Sequence, residues 1–95
     1  DKFLHLDLGY CDNITDQSLE HDILNLVDLE VLSLRECKLI TMDGLKCVSE
    51  KLKQLRVLNV GRTSTCSTIE LRDQVLEMFF HVKVCSGGEK FVLMK

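Results

Sequence analysis

The sequence predicts an α/β solenoid, a stack of strand-turn-helix units with a parallel sheet on its concave face and helices on its convex face. Three observations predict it. Apolar residues return every 26 positions, with Phe3, Leu29 and Leu55 in one column, Leu6, Leu32 and Leu58 in a second, and Leu8, Leu34 and Val60 in a third. Two more columns, Leu19, Leu45, Leu71 and Leu26, Leu52, Met78, keep that period over three units without an insertion. Within each unit the apolar spacing changes from alternation to steps of three and four, which reads as a strand followed by a helix.

The first unit, about residues 3–28, opens on Phe3-x-x-Leu6-x-Leu8, the alternation of a half-buried strand, and Gly9-Tyr10-Cys11 turns the chain out of it. Thr15 or Asp16 then caps a helix whose apolar face is Leu19, Ile23 and Leu26. The second unit, about 29–54, repeats the plan: a strand at Leu29-x-x-Leu32-x-Leu34, Cys37 at the bend, and a helix near residues 42–53 with Leu45, Val48 and Leu52 inward and Cys47 half-buried beside them. The third, about 55–78, keeps the strand at Leu55, Leu58 and Val60 but has Thr63 in the cysteine column, followed by the polar run Ser64-Thr65-Cys66-Ser67-Thr68. There Ser67 and Glu70 form a capping box, which starts a third helix near residue 68 with Leu71, Val75 and Met78 facing inward. A fourth strand, Phe79-x-x-Val82-x-Val84, falls two residues early, and residues 79–95 form a terminal strand and tail. In that tail Gly87-Gly88 sits between apolar runs, predicting either an antiparallel hairpin that closes the end or the entry to a further unit. All 95 residues form one domain.

Composition narrows the function classes. A hydrophobic share of 45% is that of an ordinary globular chain, and no apolar run approaches a membrane span, so no membrane partner is expected. Residues 1–34 hold eight acids and one base, a sum of −7, whereas residues 35–95 sum to +4, so the stack has an acidic end and a mildly basic one. Such a gradient can orient a charged partner. An acidic chain whose arginines do not cluster with aromatics is a poor nucleic-acid binder. Five cysteines fit no closed disulfide framework, and no C-x-x-C pair is present to hold a metal. Reduced thiols are therefore expected, with Cys11 and Cys37 buried one above the other, in a cytoplasmic or nuclear protein. The first column begins at Phe3 with no polar cap before it, which predicts a piece of a longer solenoid, or neighbouring repeats or a capping partner over the open N-terminal end.

No enzymatic constellation appears. His5, His21 and His81 fall in different units, and the His5 and Asp7 pair has no nucleophile beside it, so neither catalysis nor a cofactor is expected. Binding is the better prospect. Residues between the buried leucines point to the concave face, predicting one row of His5, Val31, Val57 and His81, a second of Asp7, Ser33, Asn59 and Lys83, and a third of Gly9, Arg35, Gly61 and Cys85. Tyr10, Glu36 and Arg62 lie at the edge of these rows. The predicted protein-contact surface is His5, Asp7, Tyr10, Val31, Ser33, Arg35, Val57, Asn59, Arg62, His81 and Lys83, with Tyr10 and Arg35 as the residue types most often found at binding hot spots.

The run Leu6-x-Leu8-x-x-Cys11-x-x-Ile14-Thr15-Asp16-x-x-Leu19 resembles the cysteine-containing leucine-rich repeat, the 26-residue type of F-box/LRR proteins and related cullin-RING adaptors, with a ribonuclease-inhibitor-like solenoid. The second unit matches it with Met42 where Asp is usual, and the third keeps the strand but loses both the cysteine and the Ile-Thr-Asp turn. The resemblance covers most of residues 3–85. It implies a non-catalytic protein-interaction module, part of a substrate-recognition solenoid in a ubiquitin ligase, or alternatively a scaffold repeat packed in a larger assembly.

Overall fold

Backbone pairing follows the sequence period. In the computed structural model, which describes residues 5–85, β1 (His5–Asp7), β2 (Val31–Ser33), β3 (Val57–Asn59) and β4 (Lys83–Cys85) form one parallel sheet in chain order. Leu6 pairs with Leu32, Leu32 with Leu58 and Leu58 with Val84, so every step of the register is one period. The ladder outlasts these short strands. The N–H groups of Leu8, Leu34 and Val60 donate to the carbonyls of Ser33, Asn59 and Cys85 at 2.9, 2.7 and 2.8 Å, and those of Tyr10 and Glu36 reach Arg35 and Gly61 at 2.7 and 2.9 Å. The expectations for Phe3 and for the tail after Cys85 lie outside the described residues.

β1, β2 and β3 each leave the sheet through the same turn. The N–H of Cys11, Cys37 and Thr63 donates to the carbonyl three residues back, and Ile14, Ile40 and Cys66 then donate to the carbonyls of those three residues in turn. At the bend Tyr10, Glu36 and Arg62 take φ of 66°, 58° and 60°. A side chain in the left-handed region costs on the order of 1 kcal/mol, so the turn imposes the same strain three times over.

The helices pack on one face of the sheet. Leu32 and Leu58 from the strands, with Leu34 and Val60 just after them, form one cluster with Leu19, Leu45, Val48, Val75 and Phe79 from the helical side. Most of these are fully buried, and each such side chain contributes about 1.5–3 kcal/mol relative to exposure. The first helix departs from the expected face. α1 (Asp16–Ser18), capped by Thr15 and Ser18 reciprocally, runs into a π-helical stretch, Leu19–Ile23, closed by Leu24 N–H on the Leu19 carbonyl at 2.9 Å. A π turn brings residues five apart onto one face. Leu24 is therefore buried with Leu19, and Ile23 and Leu26 are only half-buried.

α2 (Met42–Lys51) starts at its cap Thr41, and α3 (Ile69–Met78) at Thr68, which accepts from Leu71 N–H at 3.1 Å. The expected cap, Ser67, instead donates to the Ser64 carbonyl at 2.9 Å. The cause is one extra residue. In the first two units the cap directly follows the turn isoleucine; in the third, Cys66 holds the isoleucine position and Ser67 lengthens the turn, its N–H bonded to Ser64. Everything in α3 then lags by one residue, so Phe79, expected to open a strand, instead closes α3 at the position that Leu52 holds behind α2. Val82 N–H bonds the Phe79 carbonyl as Leu55 bonds Leu52, and one residue fewer then leads into β4. The fourth strand is thus in register rather than two residues early.

Asp16 ties the first unit to the second. Its carboxylate accepts from both the N–H and the hydroxyl of Thr41, the former at 2.9 Å, and so holds the cap of α2 from the neighbouring unit. Gly44 makes room for it, because a Cβ there would stand 2.2 Å from Asp16 Oδ1. Gly44→Ala is expected to destabilise the protein by about 2–3 kcal/mol by expelling this carboxylate, as charged hydrogen bonds are worth about that much. In an Asp16→Ala background the same substitution should be neutral, or stabilising by up to about 1 kcal/mol through helix propensity. Urea denaturation of the four proteins of the cycle measures the coupling.

Candidate functional site

The sheet face turned away from the helices carries the candidate residues, and the register fixes which of them meet. One row is His5, Val31, Val57 and Lys83; the next is Asp7, Ser33, Asn59 and Cys85. Lys83 therefore stands where His81 was expected, and Cys85 where Lys83 was expected. His81 lies before β4, exposed, in an edge-to-face contact with Phe80 at 4.6 Å between ring centroids. The physical reason is the register just described: the extra residue in the third turn is compensated before β4, not inside it.

Exposure divides these rows. Val31, Ser33, Val57 and Asn59 are only 6, 3, 1 and 1% exposed, whereas His5, Asp7 and Lys83 on the outer strands are exposed. Strands β2 and β3 have a neighbour on each side, and the polar side chains of the second row turn back onto the backbone. Asp7 Oδ1 accepts from Gly9 N–H at 2.9 Å, Asn59 Oδ1 from Gly61 N–H at 2.9 Å, and Ser33 Oγ from Arg35 N–H at 3.5 Å. These are Asx- and Ser-type turns that satisfy the N–H groups where the strand ends. The inner four residues thus form the floor of the face, and its accessible chemistry lies around them.

That rim is charged and aromatic. Arg35 Nε donates to the Tyr10 hydroxyl at 3.2 Å, joining the first and second turns, and Arg62 pairs with Glu36 at 3.7 Å, joining the second and third. Just before the strands Arg56 pairs with Glu30 at 3.5 Å. Both ion pairs follow the period, but apolar columns alone do not reveal them. Each is partly exposed and worth at most about 1 kcal/mol. His5, Asp7, Tyr10 and Arg35 form a mixed patch over the first two strands, and Lys83 supplies positive charge at the other end. Asp7 holds a backbone N–H, and among the described residues no group of three or more His, Cys, Asp or Glu side chains could hold a metal ion.

An open cleft of about 470 Å³ lies between the starts of α2 and α3, with Met42 and Leu71 in its lining. Its hydroxyls are already engaged: Thr41 with Asp16, Ser64 with the Ile40 carbonyl at 3.2 Å, Thr65 with Thr63 at 2.6 Å, and Ser67 with Ser64. It is a seam between units.

The cysteine column is structural. Cys37 is fully buried, and its Sγ donates to the Leu8 carbonyl of the preceding unit at 3.0 Å. Cys11, in the end unit, is half-buried rather than buried as expected, since its column has a described neighbour on one side only. Cys11, Cys37 and Cys47 are free thiols. Thr63 replaces the thiol with a hydroxyl that donates to Val60 of its own unit at 2.8 Å. Burial pushes the Cys37 thiol above its ordinary 9.0. Among the described residues no helix is long and apolar enough to cross a membrane.

Neither a scan against protein-family models nor a search of curated proteins returns a match for this chain.

Because the folded pKa of Cys37 is raised, its contribution to stability is complete below pH 9.0 and is lost as pH rises from there through the folded value. Cys37→Thr should reduce the loss of unfolding free energy between about pH 8 and about pH 10, measured by urea denaturation at each pH. Arg62→Gly should stabilise the protein by up to about 1 kcal/mol, since it relieves a left-handed side chain and removes only an exposed ion pair. A rise in the urea midpoint with an unchanged slope is the expected result.

Proposed function

We propose that this chain is a non-catalytic protein-interaction module built as a leucine-rich-repeat solenoid, and that it serves in a substrate-recognition solenoid of the F-box/LRR type in a ubiquitin ligase, in the cytoplasm or nucleus. The observation that carries the reading is the parallel register at one 26-residue period, with the cysteine-column thiol closing the turn of the unit before it. The partner is a protein. It meets the rim of exposed His5, Asp7, Tyr10, Arg62 and Lys83 with half-buried Arg35, where aromatic and arginine side chains give contact area and the charges set orientation. Val31, Ser33, Val57 and Asn59 act from beneath by holding that rim in place. The reading needs no cofactor.

A second reading, a scaffold repeat packed in a larger assembly, is favoured by the burial of those inner four, which leaves less polar surface for a reversible partner. An F-box-like helical segment in the full-length protein would favour the ligase reading, and another assembly domain in its place would favour the scaffold.

Affinity capture with the full-length protein tests the proposal. Arg35→Glu and Lys83→Glu are expected to weaken substrate capture by about tenfold or more, the effect of losing about 1.4 kcal/mol, while cullin-RING subunits are still recovered. Lys46→Glu and Glu50→Lys on α2 should leave capture unchanged. If both rim variants kept every partner and the α2 variants lost them, the binding face would lie on the helices and the proposal would fall.

A further inference from the structure

Tyr10 is the chain's single tyrosine, and Arg35 of the second unit holds it at two points. Its N–H donates to the Arg35 carbonyl at 2.7 Å, and Arg35 Nε donates to its hydroxyl at 3.2 Å. The relative placement of the two side chains is therefore set by the backbone as well as by the phenol. Tyr10 is nevertheless 63% exposed, at a bend where φ is 66°. Arg35 also differs from its neighbours on the rim. Arg56 and Arg62 pair with Glu30 and Glu36, whereas among the described residues Arg35 makes no ion pair.

A neutral phenol engages little of a guanidinium. Arginine presents its donors in a rigid fork that fits two oxygens of one carboxylate or phosphate, and the Tyr10 hydroxyl offers it a single uncharged oxygen. A phosphoryl group on that oxygen would bring three anionic acceptors one bond beyond the contact already made. The flanks decide how such a group arrives. Asp7, three residues before Tyr10, and Asp12, two residues after it, are both exposed, and they repel a free anion. The same acids are what the basic substrate cleft of an acid-directed tyrosine kinase selects.

We propose that Tyr10 is a phosphorylation site for an acid-directed tyrosine kinase, and that Arg35 is the receptor for its phosphate. The γ-phosphoryl group of ATP moves to Tyr10 Oη. The bond from Pγ to the bridging oxygen breaks, the bond from Oη to phosphorus forms, the phenolic proton passes to the kinase's base, and ADP leaves. The product ties the first and second turns by a two-pronged ion pair. It also withdraws Arg35 from the rim and adds about −1.5 to −2 of charge beside Asp7, which releases a partner that depends on Arg35. That release rests on the rim being the partner face, as proposed above; the pairing of phosphate with Arg35 does not.

Treatment of the full chain with ATP and a panel of acid-directed tyrosine kinases tests the proposal. The expected product carries one phosphate, placed at Tyr10 by mass spectrometry and absent from Tyr10→Phe. Followed by phosphorus NMR, the second pKa of the phosphate should be lower by about 1 or more in the wild-type protein than in Arg35→Gln, because an opposite charge favours the dianion. Arg35→Lys, which keeps the charge and lacks the fork, should fall between them. His5, Asp7, Asp12, Lys38 and the Glu36 and Arg62 pair are common to all three proteins, so the difference reports Arg35 alone. In affinity capture, phosphorylation should weaken substrate recovery by about tenfold or more, as Arg35→Glu does. A folded chain that no kinase of the panel modifies, or one pKa shared by all three proteins, would overturn the site. Should Arg35→Glu weaken capture and phosphorylation leave it unchanged, the release is overturned while the rim stands; should neither weaken it, the rim reading falls and the release with it.

Discussion

Parallel pairing of each strand with the one a single period away is the constraint on which the rest of the molecule depends. A parallel neighbour at constant register places identical repeat positions side by side about 4.8 Å apart, so every residue class in the unit becomes a column through the molecule. Strands of three residues supply few hydrogen bonds by themselves. The ladder compensates by running on through the first residues of each turn, and the apolar columns behind it form one continuous cluster.

The same stacking carries the polar groups. Among the described residues no buried side-chain nitrogen or oxygen lacks a hydrogen-bond partner. Cys37 closes the turn of the unit before it, Asp16 holds the cap of the unit after it, Ser64 reaches back to Ile40, and Asp7, Ser33 and Asn59 satisfy the strand ends. Three side chains of the predicted polar row, Asp7, Ser33 and Asn59, accept hydrogen bonds from backbone N–H groups two residues on. The turn residues Tyr10 and Arg62 stay exposed, while Glu36 between them is half-buried. Tyr10, Glu36 and Arg62 sit there in strained backbone, linked across units by Arg35 and by the Glu36 ion pair.

The third turn shows how tolerant this plan is. One inserted residue moves the cap of α3 to Thr68 and sets Phe79 in the place of Leu52, yet β4 returns to register because the strand must meet its neighbour's hydrogen-bonding groups. The helix can rotate and slide on an apolar surface, whereas a strand displaced by one residue would turn every side chain to the wrong face. The error is therefore absorbed in the helix and its exit.

The period, the order of strand, turn and helix, the columns at Leu32, Leu34, Leu45, Val48 and Leu58, and the half-burial of Cys47 were all legible in the sequence, because apolar spacing is a local consequence of strand and helix geometry. The candidate face was legible only as alternation. Alternation states which side of the sheet a residue occupies, but not whether it is exposed there, so it grouped buried Val57 and Asn59 with exposed His5 and Asp7. Nor could it place His81 and Lys83, whose assignment turned on a one-residue insertion and its compensation some fifteen residues later. The sequence by itself determined the repeating unit and the identity of its core. Only the tertiary structure decided the register of the last strand, the π turn that buries Leu24, and which polar residues remain available, because each of these depends on contacts between units that are distant in sequence.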